Sequence, residues 1–220
     1  MVSLKAFTVS APRPLPVVLL ADISGSMGQD GKIQALNTAV QEMLASFAQE
    51  EDVQAQLQVA VITFGHDGAR LHLPLTPASQ AKWMEMPAAG KTPMGAAFDQ
   101  ARELLEDRSR MPARAYRPTL VLISDGVPTD DWQPALQRLL ASKRAAGAER
   151  LAMAIGAEAD PEVLQAFVAG STTQRVFRGE EAGRIRHFFR LVTVTVTSRL
   201  RSVNPNAPPP EAPTELDDLV

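Results

Sequence analysis

Leu15-Pro16-Val17-Val18-Leu19-Leu20-Ala21-Asp22-Ile23-Ser24-Gly25-Ser26 is the stretch that decides the fold. Leu15 to Ala21 is apolar without alternation, as in a strand covered by helices on both faces, and it stops abruptly at Asp22. Three further runs read alike: Leu57 to Phe64 (LQVAVITF), Thr119 to Ser124 (TLVLIS) and Leu151 to Gly156 (LAMAIG). These are the expected central strands. Arg70 to Leu75 (RLHLPL) alternates and contains Pro74, so it reads as an edge strand.

Helical periodicity fills the gaps. Between Gly31 and Gln49, Ile33, Leu36, Val40, Leu44 and Phe47 recur on one face, with Asp30 as the expected N-cap. A second helix is expected from Pro93, burying Ala97, Phe98, Ala101, Leu104 and Leu105. A third runs from about Gln133 to Ala146 and stops at Gly147, with Leu136, Leu139 and Leu140 inward; Pro161 to Ala169 is a short fourth. Arg184 to Val203 carries both a strand-like Val-Thr alternation and a longer helical stripe through Ile185, Phe188, Phe189, Val192, Val196 and Leu200, and the stripe is preferred. Strands separated by helices imply an α/β class: a doubly wound, mostly parallel, Rossmann-like sheet with helices on both faces and one antiparallel edge strand. The expected division is an N-terminal extension over 1–13, one domain over 14–203, and a Pro-rich, acidic, disordered tail over 204–220.

Composition narrows the function classes. In 220 residues the hydrophobic fraction is 45% and the charged fraction 21%, which fits one folded domain with tails. A net charge of -3 gives no reason to expect nucleic acid as the partner. No cysteine is present, so disulfides, thiolate metal sites and cysteine nucleophiles are excluded. Met1 to Pro16 lacks the apolar core of a signal peptide and no apolar run is long enough for a bilayer, so a cytoplasmic protein with no membrane partner is expected.

The chemistry concentrates at three places. Asp22, Ser24 and Ser26 follow the first buried strand; Thr92 sits in Gly90-Lys91-Thr92-Pro93-Met94-Gly95; Asp125 lies in Ser124-Asp125-Gly126, directly after TLVLIS. Ligands of open α/β sheets bind beyond the carboxyl ends of strands where the strand order reverses. If the Asp22 and Asp125 strands are neighbours there, two carboxylates and three hydroxyls converge. Such an all-oxygen set suits a hard cation, Mg²⁺ or Mn²⁺, and disfavours zinc. Gly25, Met27, Lys91 and Gly126, beside these residues in sequence, are the candidate partner-facing positions.

D-x-S-x-S, a Thr after a glycine-containing loop, and S-D-G after a hydrophobic strand resemble the metal-ion-dependent adhesion site (MIDAS) of von Willebrand factor A domains, over Pro14 to about Ser198. The resemblance implies that Ser24, Ser26 and Thr92 are direct or near-direct ligands and that Asp22 and Asp125 act through water. Lys91 departs from the pattern, since relatives often carry a second glycine there. The Thr-Pro-Met-Gly turn and Phe188-Phe189-Arg190 are similar to bacterial TerY-like proteins of the tellurium-resistance and chemical-stress systems. That similarity implies a stress-response setting alongside a protein kinase and a PP2C-type phosphatase.

A hydroxyl-rich shell leaves the cation electrophilic, so an external Asp or Glu from a protein partner is the expected ligand, and the chain is expected not to be an enzyme. Ser24-Gly25-Ser26-Met27-Gly28 lacks the first glycine of a nucleophile elbow, and Gly31-Lys32 lacks the flanking residues of a phosphate loop. His66, His72 and His187 are scattered, and Arg184, Arg186, Arg190, Arg199 and Arg201 read as a solvated helix face. Two other readings stay open: a metal-dependent phosphohydrolase or phosphotransferase using the same cation, and a partner subunit of an AAA+ ATPase. The acidic tail, with Glu211, Glu215, Asp217 and Asp218, is a further candidate occupant of the metal's open position.

Overall fold

The structure, a computed structural model, describes residues 11–207 apart from 51, 53–54 and 180–181. Strand β1 (Arg13–Asp22) lies at the centre of a six-stranded sheet with β2 (Ala55–Gly65), β3 (Gly68–Pro77), β4 (Thr119–Ser124), β5 (Glu149–Ile155) and β6 (Val176–Gly179), in the order β3-β2-β1-β4-β5-β6. All pairs are parallel except β2 with β3, which closes one edge antiparallel as the alternating Arg70 to Leu75 segment requires. Strand order reverses between β1 and β4, so the carboxyl ends of these neighbours open a crevice.

Burial on both faces explains the unbroken apolar runs. Leu15, Val17 and Leu19 pack on one side with Leu36, Val40 and Phe47 of α1 (Lys32–Ala48) and Ile185, Phe188 and Val192 of α6 (Ala182–Leu200). Val18 and Leu20 face the other side, against Phe98 and Leu105 of α2 (Met94–Glu106), Leu139 of α3 (Trp132–Ala141) and Phe167 of α5 (Pro161–Val168). Each such side chain contributes about 1.5–3 kcal/mol by leaving water.

Several expectations need correction. The N-cap of α1 is Gly31, in the left-handed region, and Asp30 stands one residue earlier with positive φ. The third helix breaks at Ser142, whose backbone is extended, and a short turn α4 (Lys143–Ala146) follows. Strand β6 was not anticipated, because four residues with only two apolar side chains carry no pattern. The final segment is helical, yet Arg199 is not solvated: it is 3% exposed. Its guanidinium donates to Thr119 Oγ1 (2.6 Å), Arg117 O (2.6 Å) and Pro205 O (3.0 and 3.1 Å). Asn204 to Ala207 therefore do not begin a disordered tail; Pro205 is buried and Asn206 is tied to Arg117. At the other end β1 starts at Arg13, whose guanidinium stacks on Tyr116 at 3.9 Å. The rest of the expected extension, 1–10, and of the tail, 208–220, lies outside the described residues. No helix among the described residues is long and apolar enough to cross a membrane.

Candidate metal centre

The site is built where β1 and β4 end side by side. Asp22 closes β1 fully buried, and its Oδ1 accepts the backbone N–H of Ser24 at 2.8 Å, turning the chain into a 3-10 turn at Gly25–Gly28. Its Oδ2 accepts the hydroxyl of Ser124, the last residue of β4, at 2.5 Å. One carboxylate thus ties the two strand ends together.

The hydroxyls follow. Ser24 Oγ and Ser26 Oγ are 3.0 Å apart, and Ser26 Oγ donates to Asp125 Oδ1 at 2.7 Å. Thr92 arrives from a separate loop laid across the end of the sheet: Ala89 N–H reaches Ile23 O at 2.7 Å, and Gly25 N–H reaches Gly90 O at 3.0 Å. Gly90 permits this contact, since at φ 81° with His66 Cα only 2.4 Å from where a Cβ would stand, no other residue fits. Thr92 is then pinned by Thr129, whose hydroxyl accepts Thr92 N–H at 3.2 Å and whose N–H donates to Thr92 O at 2.9 Å. Next to it, Asp130 caps α2 through Gly95 N–H and Ala96 N–H, both at 2.9 Å. A Cβ placed on Gly126 would lie 3.3 Å from Thr92 Oγ1 and 4.0 Å from Ser26 Oγ, so both hydroxyls border this glycine.

Asp22, Ser24, Ser26, Thr92 and Asp125 are therefore one cluster, assembled from segments about a hundred residues apart. The expected flanking positions divide. Gly25 and Lys91 are exposed and Gly126 half-buried at the rim, but Met27 is fully buried in the core and cannot face a partner. The cation that reaches the site is Lys32, not Lys91: from the first residue of α1 its Nζ donates to Asp125 Oδ2 at 2.8 Å. Lys32, Ser124, Thr129 and Asp130 are the participants that sequence reasoning missed. The S-D-G context contains Ser124, but nothing in sequence ties the other three to the site.

Electrostatics decides what the cluster can hold. Burial pushes the Asp22 carboxyl up to about 6; hydrogen bonds from Ser124 and Ser24 oppose the rise and the negative field of Asp125 adds to it. Two buried carboxylates and three hydroxyls, with a single ammonium on Asp125 Oδ2, form an all-oxygen donor set short of positive charge, which a hard divalent cation fits. Among the described residues, three or more His, Asp or Glu side chains nowhere gather as an alternative metal cage.

Comparison with known proteins agrees with this fold. The family model of the von Willebrand factor type A domain matches residues 17–191. No match is found among curated proteins. Among solved structures, the chain is similar to proximal thread matrix protein 1 from the mussel byssus with a zinc-occupied MIDAS motif, at 15% identity, TM-score 0.63, and coverage of 84% of this chain and 48% of that one. It is also similar to a von Willebrand factor type A protein from Catenulispora acidiphila, at 20% identity, TM-score 0.61 and coverage of 83% and 42%. A third is the pilus adhesin SpaC from Lactobacillus rhamnosus GG, at 17% identity, TM-score 0.63 and coverage of 82% and 30%. The chain spans less than half the length of each of these proteins.

Proposed function

Because this chain belongs to the von Willebrand factor type A domain family, we propose that it is a metal-dependent protein-binding module in which a divalent cation captures an acidic side chain of a partner. The observation that carries this reading is the hydroxyl-rich cluster of Ser24, Ser26 and Thr92 at the strand switch, with both carboxylates already engaged by Ser124, Ser26 and Lys32. When bound, the cation supplies Lewis acidity towards an incoming carboxylate oxygen. The chain does the rest. Ser24, Ser26 and Thr92 offer neutral oxygens, Asp22 and Asp125 hold charge behind them, and the exposed or half-buried rim at Gly25, Lys91, Gly126 and Val127 leaves an approach from outside.

Mg²⁺ or Mn²⁺ is the cation we assign, from the oxygen donors. Zinc belongs in the test because a similar structure holds it in its MIDAS motif. Binding is favoured over catalysis because the two carboxylates of the cluster, Asp22 and Asp125, are both committed to holding it together. The setting we propose is a cytoplasmic bacterial stress-response system of the tellurium-resistance kind, with its kinase or phosphatase as partner. It is supported by the resemblance of Thr92 to Gly95 and of Phe188 to Arg190 to TerY-like proteins.

Calorimetric titration of Mg²⁺, Mn²⁺ and Zn²⁺ into the chelator-treated protein is expected to show one site, with binding by Asp22→Ala reduced about ten- to a hundredfold. Full metal affinity in Asp22→Ala, or partner recovery from native cells that is equal with Mg²⁺ and with chelator, would overturn the reading.

A further inference from the structure

Lys32 stands where helix energetics does not want it. It opens a 17-residue helix, where a cation opposes the partial positive charge of the helix N-terminus. Yet its ammonium is held at 2.8 Å from Asp125 Oδ2, with side-chain exposures of 16% for Lys32 and 0% for Asp125. Gly156, the residue after β5, borders it, a Cβ there lying 4.0 Å from Nζ at ordinary contact distance. The opposite oxygen of Asp125 takes the Ser26 hydroxyl. Lys32 thus grips the outer side of Asp125 while the inner side faces the hydroxyl cluster.

We infer that Lys32 is a tethered counter-cation that sets the charge of the metal centre, weakening the cation's hold while making an anionic ligand obligatory. The inference rests on the metal-binding reading above. Asp22, Asp125 and Lys32 together leave the empty cluster one negative charge in excess. A divalent cation turns this into one positive charge in excess, which an incoming carboxylate neutralises. Without Lys32 the loaded centre would already be neutral and would have little use for an anion. Lys32 is therefore a positioning and specificity residue: it orients Asp125 and fixes the sign of the ligand without having to touch either the cation or the ligand.

Two effects of opposite sign follow, which a merely structural lysine would not produce. Calorimetric titration of Mn²⁺ is expected to give about tenfold tighter binding in Lys32→Met than in the wild-type chain, the scale of one charge pair screened nearly as in water. Saturating acetate is expected to tighten Mn²⁺ binding in the wild type and much less in Lys32→Met, since ligand and metal affinities are reciprocally linked. Lys32→Arg, keeping the charge, is expected to follow the wild type in both measurements. In chelator, Lys32→Met is expected to unfold at lower urea than the wild type, because Asp125 is then buried without a cation. Wild-type uptake of Mn²⁺ that Lys32→Met leaves unchanged or weakens, or an acetate effect equal in both, overturns the inference alone. Absence of uptake by the wild type overturns the metal centre and the inference with it.

Discussion

The two ends of the sheet both bury charge, and they treat it in opposite ways. At the amino end, Arg150 and Arg199 are each 3% exposed, and their guanidinium groups donate to main-chain oxygens and, from Arg199, to the Thr119 hydroxyl. Arg150 donates to Phe167 O (2.8 Å), Ala145 O (2.9 Å) and Ala169 O (2.7 Å), closing the ends of α4 and α5. Glu149 beside it accepts the Thr173 hydroxyl at 2.9 Å and the Ser171 hydroxyl at 3.2 Å. Burial lowers the pKa of both arginines, that of Arg199 to about 10. At the carboxyl end Asp125 holds the one ammonium, that of Lys32, and burial leaves Asp22 hard to ionise. A sheet end with its polar groups satisfied works as a clamp; one left short of positive charge works as a receptor.

The largest effect should come from breaking the clamp. Arg150→Met removes the guanidinium that donates to the carbonyls of Ala145, Phe167 and Ala169, and is expected to cost about 3–5 kcal/mol of stability. Urea unfolding should show the same loss in chelator and in saturating Mg²⁺, because the clamp lies at the opposite end of the sheet from the metal centre. A loss that Mg²⁺ repairs would mean that the two ends are coupled and that the contrast drawn here is false.

The receptor end should respond in the other direction. A carboxyl raised to about 6 from its ordinary value of 3.8 favours the folded state most below pH 4, and that contribution is lost as pH rises through 6. Metal-free protein should therefore lose stability over this window, by about 3 kcal/mol at most. Asp22→Asn, which carries no charge, should lack that decline and be the more stable protein in chelator at pH 7. Saturating Mg²⁺ should close most of that gap, adding about 2.7 kcal/mol to the wild type at a hundred times its dissociation constant and nothing to the variant. Urea midpoints at steps from pH 4 to pH 8 test this, and identical pH profiles for the two chains would remove the electrostatic argument for a cation at this site.

The same contrast explains what could be read from the sequence. Central strands were legible because Leu15 to Ala21 and Thr119 to Ser124 must be apolar on both faces, and the site residues because Asp22 and Asp125 interrupt those runs at their carboxyl ends. That reasoning depends on neighbours in sequence. It fails where function depends on neighbours in space: Lys32 meets Asp125 across 93 positions, Thr129 meets Thr92 across 37, and Arg199 meets Thr119 across 80. Lys91 drew attention through its place in the Thr92 loop, yet an exposed side chain there leaves the pairing with Asp125 to Lys32. Met27 sits between site residues in sequence but turns into the core, because the 3-10 turn sends its side chain opposite to the hydroxyls. The Pro-rich segment after Asn204 read as disordered because composition does not show that a buried arginine is waiting for Pro205 O.

The smallest effect on stability should come from Asp130, and it sharpens the comparison most finely because this residue belongs to both worlds. Its two oxygens cap α2 as thoroughly as Arg150 closes α4 and α5, but they do so three residues beyond a candidate metal ligand. Asp130→Ala is expected to cost about 1 kcal/mol, the ordinary value of a helix cap. The cap also fixes the start of α2 against the loop that carries Thr129, so the turn holding the Thr92 hydroxyl loses one of its two anchors. Mg²⁺ affinity should then fall several-fold while the amino-end clamp is untouched, which hydrogen exchange at the ends of α4 and α5 would register as unchanged protection. If affinity stays at the wild-type value despite the loss of the cap, Thr92 is placed by the Gly90 crossing and Thr129 alone, and the receptor is more rigid than its open end implies.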